Sequence, residues 1–181
     1  MAASFNKGAM VEDAQWKIVQ DARGPWVALK DGSTWPRWVR TLDVELRAWL
    51  HGEEIAYAEY GCDLNGSLYE GNAVEADRLW AVIFTKRYVV RVQVDKTQDS
   101  RDVETPDVVL VARSSIESLS IEVVDEEPGT FGPPIVTTVS FEDIEDDIQI
   151  PAKKADWYRV DPDVRMQLLA GLRDDIWGQL D

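Results

Sequence analysis

Between Leu79 and Val94 the chain spells out two β-strands and the turn joining them. An apolar run, Leu79-Trp80-Ala81-Val82-Ile83-Phe84, leads through Thr85-Lys86-Arg87 into Tyr88, Val90, Val92 and Val94, which alternate with Arg91, Gln93 and Asp95. Side chains of a strand point to opposite sides at every second residue, so the second half describes a sheet that is apolar on one face and wet on the other. The rest of the chain has to supply further strands for that sheet and a cover for its apolar face.

The further strands are short. Ile55, Tyr57 and Glu59 alternate with Ala56, Ala58 and Tyr60, and Asn65-Gly66 offers hairpin-turn chemistry ahead of Leu68-Tyr69. Val108–Ala112 reads as a strand, and so does Ile116–Val124, with Leu119, Ile121 and Val123 inward and Ser118, Ser120 and Glu122 outward. Ile135, Thr137, Val139 and Phe141 share one face of the next strand, and Asp146–Ile150 forms a last edge strand closed by Pro151. Loops rich in polar residues or Gly and Pro fill 96–107 and 125–134.

Two helices bracket this set. The first spans about Trp35 to Leu50: Ser33 or Thr34 caps it, Pro36 sits in the first turn and Gly52 stops it. Trp35, Trp38, Val39, Leu42, Leu46, Trp49 and Leu50 fall on one face of it. The last starts at Asp161-Pro162 and buries Val164, Leu168, Leu169, Leu172, Ile176 and Leu180, with Gly171 weakening it by about 1 kcal/mol relative to alanine. Residues 1–34 are an arm with isolated aromatics (Phe5, Trp16, Trp26) and a short helix around Val11–Gln20. The expectation is an α+β protein: an arm over 1–34 and one domain over 35–181, built on a strongly bent antiparallel sheet of six to seven strands. The C-terminal helix plugs its open end and an N-terminal helix adds a cover.

Charge narrows the partners. The chain has 181 residues, 34 acidic and 19 basic, for a net charge of −15. From Ser114 to Ala152 there are ten acidic residues and no Lys or Arg. Such a field repels phosphate backbones and anionic lipid surfaces, so direct nucleic-acid binding is not expected, membrane binding is disfavoured, and a basic protein partner is favoured. Cys62 and His51 each stand alone, which excludes an intrachain disulfide and the usual Cys/His zinc site and suits a reducing cytoplasm. The first residues lack a basic start followed by an apolar run, and no stretch approaches the roughly 20 apolar residues of a membrane helix. The reading is a cytoplasmic protein.

Three segments resemble the bacterial PH-like domains. "LRAWLHGEEIAYAEY" (Leu46–Tyr60) resembles their opening, in which a helix ends in a Gly-Glu pair and enters the first strand. "LWAVIFTKRYVVRV" (Leu79–Val92) is similar to their central hairpin, although its turn reads Thr85-Lys86-Arg87 where the family has a Thr-Asp-Arg-Arg-like turn. "ARSSIESLSIE" (Ala112–Glu122) resembles the Ser-x-Ile step that follows, and the helix from Asp161 takes the place of the capping helix. The resemblance covers about residues 46–180 and implies a seven-stranded, strongly bent sheet closed by a helix, with a role in binding and not in catalysis. It carries no ligand across, because such folds bind lipids, peptides or neighbouring domains according to their loops.

No residue set reads as catalytic, and no cofactor is expected. His51 lacks a nucleophile or an orienting carboxylate, with Glu53 and Glu54 read as solvated charges beside a strand, and Cys62 has no histidine partner other than His51. Asp63-Leu-Asn65-Gly-Ser67 fails as a calcium loop because glycine falls in the fourth place and Val74 in the twelfth. Glu142, Asp143, Glu145, Asp146 and Asp147 could hold a hard cation, but adjacent carboxylates point in different directions, and a solvated edge that deters strand association is the better use. No metal site is expected. Arg78, Lys86, Arg87, Arg91, Lys96, Arg101 and Arg113 gather around the hairpin, with a regional net of only about +2. In PH-like folds that bind phosphorylated headgroups, cations near strand tips make charge-assisted hydrogen bonds, which singles out Lys86 and Arg87.

The expected function is a non-catalytic protein-interaction module whose acidic face, Glu142, Asp143, Glu145, Asp146 and Asp147, meets a basic partner. Two alternatives are an acidic inhibitor that mimics nucleic acid on a DNA-binding protein, and a lipid-surface module using Lys86 and Arg87.

Overall fold

A computed structural model describes residues 14–24, 26, 33–65, 75–97, 106–123, 135–151 and 162–178. Helix α1 covers residues 14–22 and α2 covers Arg37–Trp49. Strands β1 (Ile55–Asn65), β2 (Glu75–Thr85), β3 (Tyr88–Thr97) and β4 (Asp107–Ala112) follow, then a 3-10 turn at Arg113–Ser115, β5 (Ile116–Val123), β6 (Ile135–Phe141), β7 (Ile144–Ile150) and helix α3 (Pro162–Trp177). Phe5, Val11, Gly66, Asp161, Leu180 and the loop residues 98–105 and 124–134 lie outside the described residues.

The seven strands form two antiparallel sheets, ordered β1-β2-β3-β4 and β5-β6-β7, in place of the single bent sheet expected. The break falls between β4 and β5. There the Arg113 amide donates to the Arg87 carbonyl at 2.7 Å, and the 3-10 turn redirects the chain before Ile116, so β5 begins a new sheet.

The first sheet is covered on both faces, which corrects the one-side-wet expectation. Its outer face (Leu79, Ala81, Ile83, Val90, Val92, Val94) packs under Trp16, Val19 and Ala22 of α1, Trp26, and Val39, Leu42 and Leu46 of α2. Its inner face (Tyr57, Val82, Phe84, Val89) meets Val139, Phe141, Ile144, Ile148 and Ile150 of the second sheet and Leu168 and Leu172 of α3. The run at 79–84 is apolar on both parities because both sides of β2 are buried. The described part of the arm is thus built into the outer core. Trp26 Nε1 donates to the Gly61 carbonyl at 2.9 Å, and the Ile55 amide donates to Gln15 Oε1 at 2.7 Å.

Helix α2 starts later than predicted. Pro36, with extended ψ, is its N-cap and no side chain caps it, so neither Ser33 nor Thr34 does so. Gly52 takes the left-handed conformation, φ 78°, at the exit. Trp49 lies off the buried stripe and is exposed. Helix α3 packs against β5, β1 and the 3-10 turn, closing the gap between the edge of one sheet and the edge of the other. Gly171 is explained here: a Cβ would come within 2.8 Å of the Arg113 guanidinium, which crosses the helix at that point. Arg113 donates to Asp175 Oδ2 at 2.9 Å and to the Thr85 carbonyl at 2.8 Å, tying α3 to the β2–β3 hairpin.

Candidate functional site

The two sequence-selected sets, Lys86 with Arg87 and the five carboxylates from Glu142 to Asp147, come from turns about 55 residues apart in sequence, yet the backbone links them. The Arg87 carbonyl accepts from the Arg113 amide, and the Ser115 carbonyl accepts from the Glu142 amide at 3.1 Å. The β2–β3 turn, the 3-10 turn and the β6–β7 turn therefore share one end of the molecule.

At the β2–β3 turn the side chain of Thr85 satisfies the donors that a two-residue loop leaves over. Its Oγ1 accepts from the Arg87 amide at 3.1 Å and the Tyr88 amide at 2.8 Å. The turn then presents its cations to the start of β1. Arg87 pairs with Glu53, and Lys86 Nζ lies 2.6 Å from Glu54 Oε2. The hydrogen bond from Arg87 holds the Glu53 carboxyl below its ordinary value against the opposing effect of burial, and the same bond raises the Arg87 guanidinium. Both residues chosen as anion binders are thus already paired with carboxylates. Glu53 and Glu54, read from sequence as solvated charges, are those partners, and no sequence spacing signals a pairing between positions more than 30 residues apart that only the fold brings near.

The carboxylates are differently placed. Glu142 and Asp143 form the β6–β7 turn, and Glu145, Asp146 and Asp147 line β7, which pairs with β6 alone among the described strands. All five are exposed, while Ile144, Ile148 and Ile150 point into the inner core. Asp147 Oδ1 accepts from Ser140 Oγ at 2.6 Å, and Ser140 in turn meets Ser118 at 3.0 Å. Asp146 takes a hydrogen bond from Arg91 of β3 at 2.6 Å, bridging the two sheets. Glu142, Asp143 and Glu145 make no ion pair among the described residues. The arrangement is a hairpin edge that displays negative charge, and charged side chains on an edge strand oppose pairing with another strand.

Among the described residues no group of three or more His, Cys, Asp and Glu side chains is arranged to hold a metal ion. The side chains of Asp63 and Asn65 and the residues Asp125, Glu126, Glu127 and Arg101 fall outside what is described. His51 is exposed just past α2, and Cys62 is half-buried against the outer core. A shallow depression of about 530 Å³ runs along the outer side of α2, lined by Arg37, Arg40, Thr41, Val44 and Glu45. No helix of the described residues is long and apolar enough to cross a membrane.

Comparison with family models, curated proteins and solved structures finds no match to this chain.

Proposed function

We propose that the chain is a PH-like protein-interaction module of the cytoplasm, and that its acidic edge, Glu142, Asp143, Glu145, Asp146 and Asp147, recognises a basic partner. The observation that carries this reading is the fixed display of five exposed carboxylates on a hairpin whose apolar residues are locked into the inner core. A four-plus-three set of antiparallel strands with a C-terminal helix against it supports the PH-like part. The lipid-surface alternative loses its motive, because Lys86 and Arg87 face Glu54 and Glu53. Nucleic-acid mimicry is weakened by Asp146 and Asp147, which are engaged by Arg91 and Ser140 and so interrupt a regular row of charges along β7.

The test is capture of a partner by the whole folded chain at low salt, followed by titration of that partner at rising ionic strength. Exposed pairs are largely screened at a Debye length of about 3 Å, so affinity is expected to fall about tenfold or more towards 1 M salt. Glu142→Gln, Asp143→Asn, Glu145→Gln and Asp147→Asn combined should weaken binding in the same sense at low salt. A partner bound equally well by this variant and at every salt concentration rules the acidic edge out.

A further inference from the structure

Among the described residues, three of the four sheet edges carry bulges or irregular pairing. β1 is bulged between Ile55 and Tyr57 and between Asp63 and Leu64, and side chains of Gln15 and Trp26 take its backbone groups at Ile55 and Gly61. β5 is bulged after Ile116 and carries Glu117 and Glu122. β7 pairs irregularly with β6 past Val139 and carries three carboxylates. Among the described residues β4 has no bulge, and its one carboxylate, Asp107, stands at its first position. Its register with β3 runs unbroken from Gln93↔Asp107 to Tyr88↔Ala112, and from Val108 to Ala112 it holds no charge and no proline. That combination of unbroken register and apolar edge is a template for a further strand.

The direction of its backbone follows from the ladder. The Arg113 amide bonds to the Arg87 carbonyl, so positions alternating with 113, namely 111, 109 and 107, exchange hydrogen bonds with β3. Val108, Leu110 and Ala112 therefore turn their N–H and C=O groups outward, the Ala112 carbonyl already accepting from Ser115 Oγ at 2.8 Å, and among the described residues β4 pairs with β3 alone. The side chains agree: Leu110 is 41% exposed, and Val108 and Val109 are half-buried.

We propose that β4 receives an extended segment of the basic partner as an added strand. This rests on the acidic-edge reading and says how that partner engages. Charge selects the occupant. Val109 packs on the side facing the second sheet, beside Arg91, which reaches across to Asp146 of β7, so the inward side chains of β4 and the β7 carboxylates lie on the same side of the first sheet. On the other side an added strand meets Leu110 and Val108. A segment alternating basic and apolar residues satisfies both faces, whereas a second copy of this chain brings a second net charge of −15 to the same place.

The experiment uses the full chain, isotope-labelled, and a blocked peptide of alternating lysine and valine. Binding should slow amide exchange at Val108, Leu110 and Ala112. Leu110→Pro, which removes the central outward donor where an edge strand tolerates proline, should weaken the peptide about tenfold, and Leu110→Lys should do likewise by charge. Circular dichroism confirms that each variant is folded. The same peptide N-methylated at alternate backbone positions should not bind in at least one register. Equal binding by folded Leu110→Pro and Leu110→Lys variants overturns strand addition, and if that binding is still salt-sensitive the acidic-edge reading survives it. Protection on β4 that is indifferent to neutralising the β7 carboxylates keeps strand addition and removes the acidic edge instead. Slow β4 amides without peptide, in a chain that sediments as a dimer, assign the edge to a second copy and overturn the proposal.

Discussion

The two faces of the first sheet are buried by different means. The outer face lies under α1, Trp26 and α2, a cover drawn from sequence that precedes the sheet and docked by a few large aromatic groups. Trp26 packs edge-on against Tyr60 with ring centroids 4.8 Å apart and tilted against Trp38 at 5.8 Å. Within this cover the Arg23 guanidinium sits 5.3 Å from the Trp35 ring and 5.6 Å from the Tyr60 ring and forms an ion pair with Asp43. Burial pushes the Tyr60 hydroxyl up to about 12. The inner face is sealed by the second half of the chain, through many interdigitating aliphatic and phenylalanine side chains and one arginine clamp, Arg113. A cover held by a few anchors concentrates its stability in them. An interdigitated core spreads it, and it also ties together the two sheets and α3.

The largest expected effect tests whether the outer cover is a separable unit. Trp26→Ala removes a buried indole and its bond to Gly61 and should cost about 3–5 kcal/mol in urea unfolding. Amide exchange over residues 14–22 should then accelerate to local opening while β3 keeps its protection. If α1 and β3 exchange together in the variant, the cover is no separate unit and the contrast fails.

A smaller effect sharpens the picture of the inner face. Gly171→Ala gains about 1 kcal/mol of helix propensity but forces the clamped Arg113 guanidinium aside, so a net loss of about 1–2 kcal/mol is expected. In an Arg113→Ala background the same change should become stabilising. A loss in both backgrounds would mean that the glycine is kept for some reason other than passage of the arginine.

The smallest effect is in pH. Arg87 holds Glu53 below its ordinary value of 4.5, so its contribution is present above that value and lost as pH falls through the folded one. Asp43 is raised above 3.8, because burial outweighs the attraction and hydrogen bond of Arg23, so its contribution is full below 3.8 and is lost as pH rises through the folded value. The two slopes oppose each other. Unfolding free energies from about pH 3 to about pH 7 should show Glu53→Gln flattening the acid-side loss and Asp43→Asn steepening it. Identical profiles would remove both assignments.

Strands and helices were legible because their signals are local. The alternation at Val90, Val92 and Val94 and the turn at Thr85 placed β2 and β3 closely, and α3 was visible from Pro162 and its leucines. The second burial of the first sheet was also present in the sequence, in Val89 and in the unbroken run at 79–84, but one wet parity from Arg91 to Asp95 outweighed it. Arg91 itself is partly buried and faces the second sheet, where it meets Asp146. What sequence spacing could not convey is pairing across the fold. The split into two sheets, the Arg23 pair with Asp43, the Glu53 pair with Arg87 and the reason for Gly171 each join residues 20 or more positions apart. For the same reason, the site residues could be chosen by charge, but whether each charge was already matched could not.

Position 61 is constrained from two directions. Its carbonyl receives the Trp26 indole N–H, and its empty side-chain position lies under the Trp80 indole on the neighbouring strand, where any Cβ would collide. Residues 61 and 80 therefore act as one variable: a larger group on one is tolerated only with a smaller group on the other. Drift at this pair would also shift the acceptor that seats Trp26, so a change inside the sandwich would be felt on its far side, at the attachment of the N-terminal helices.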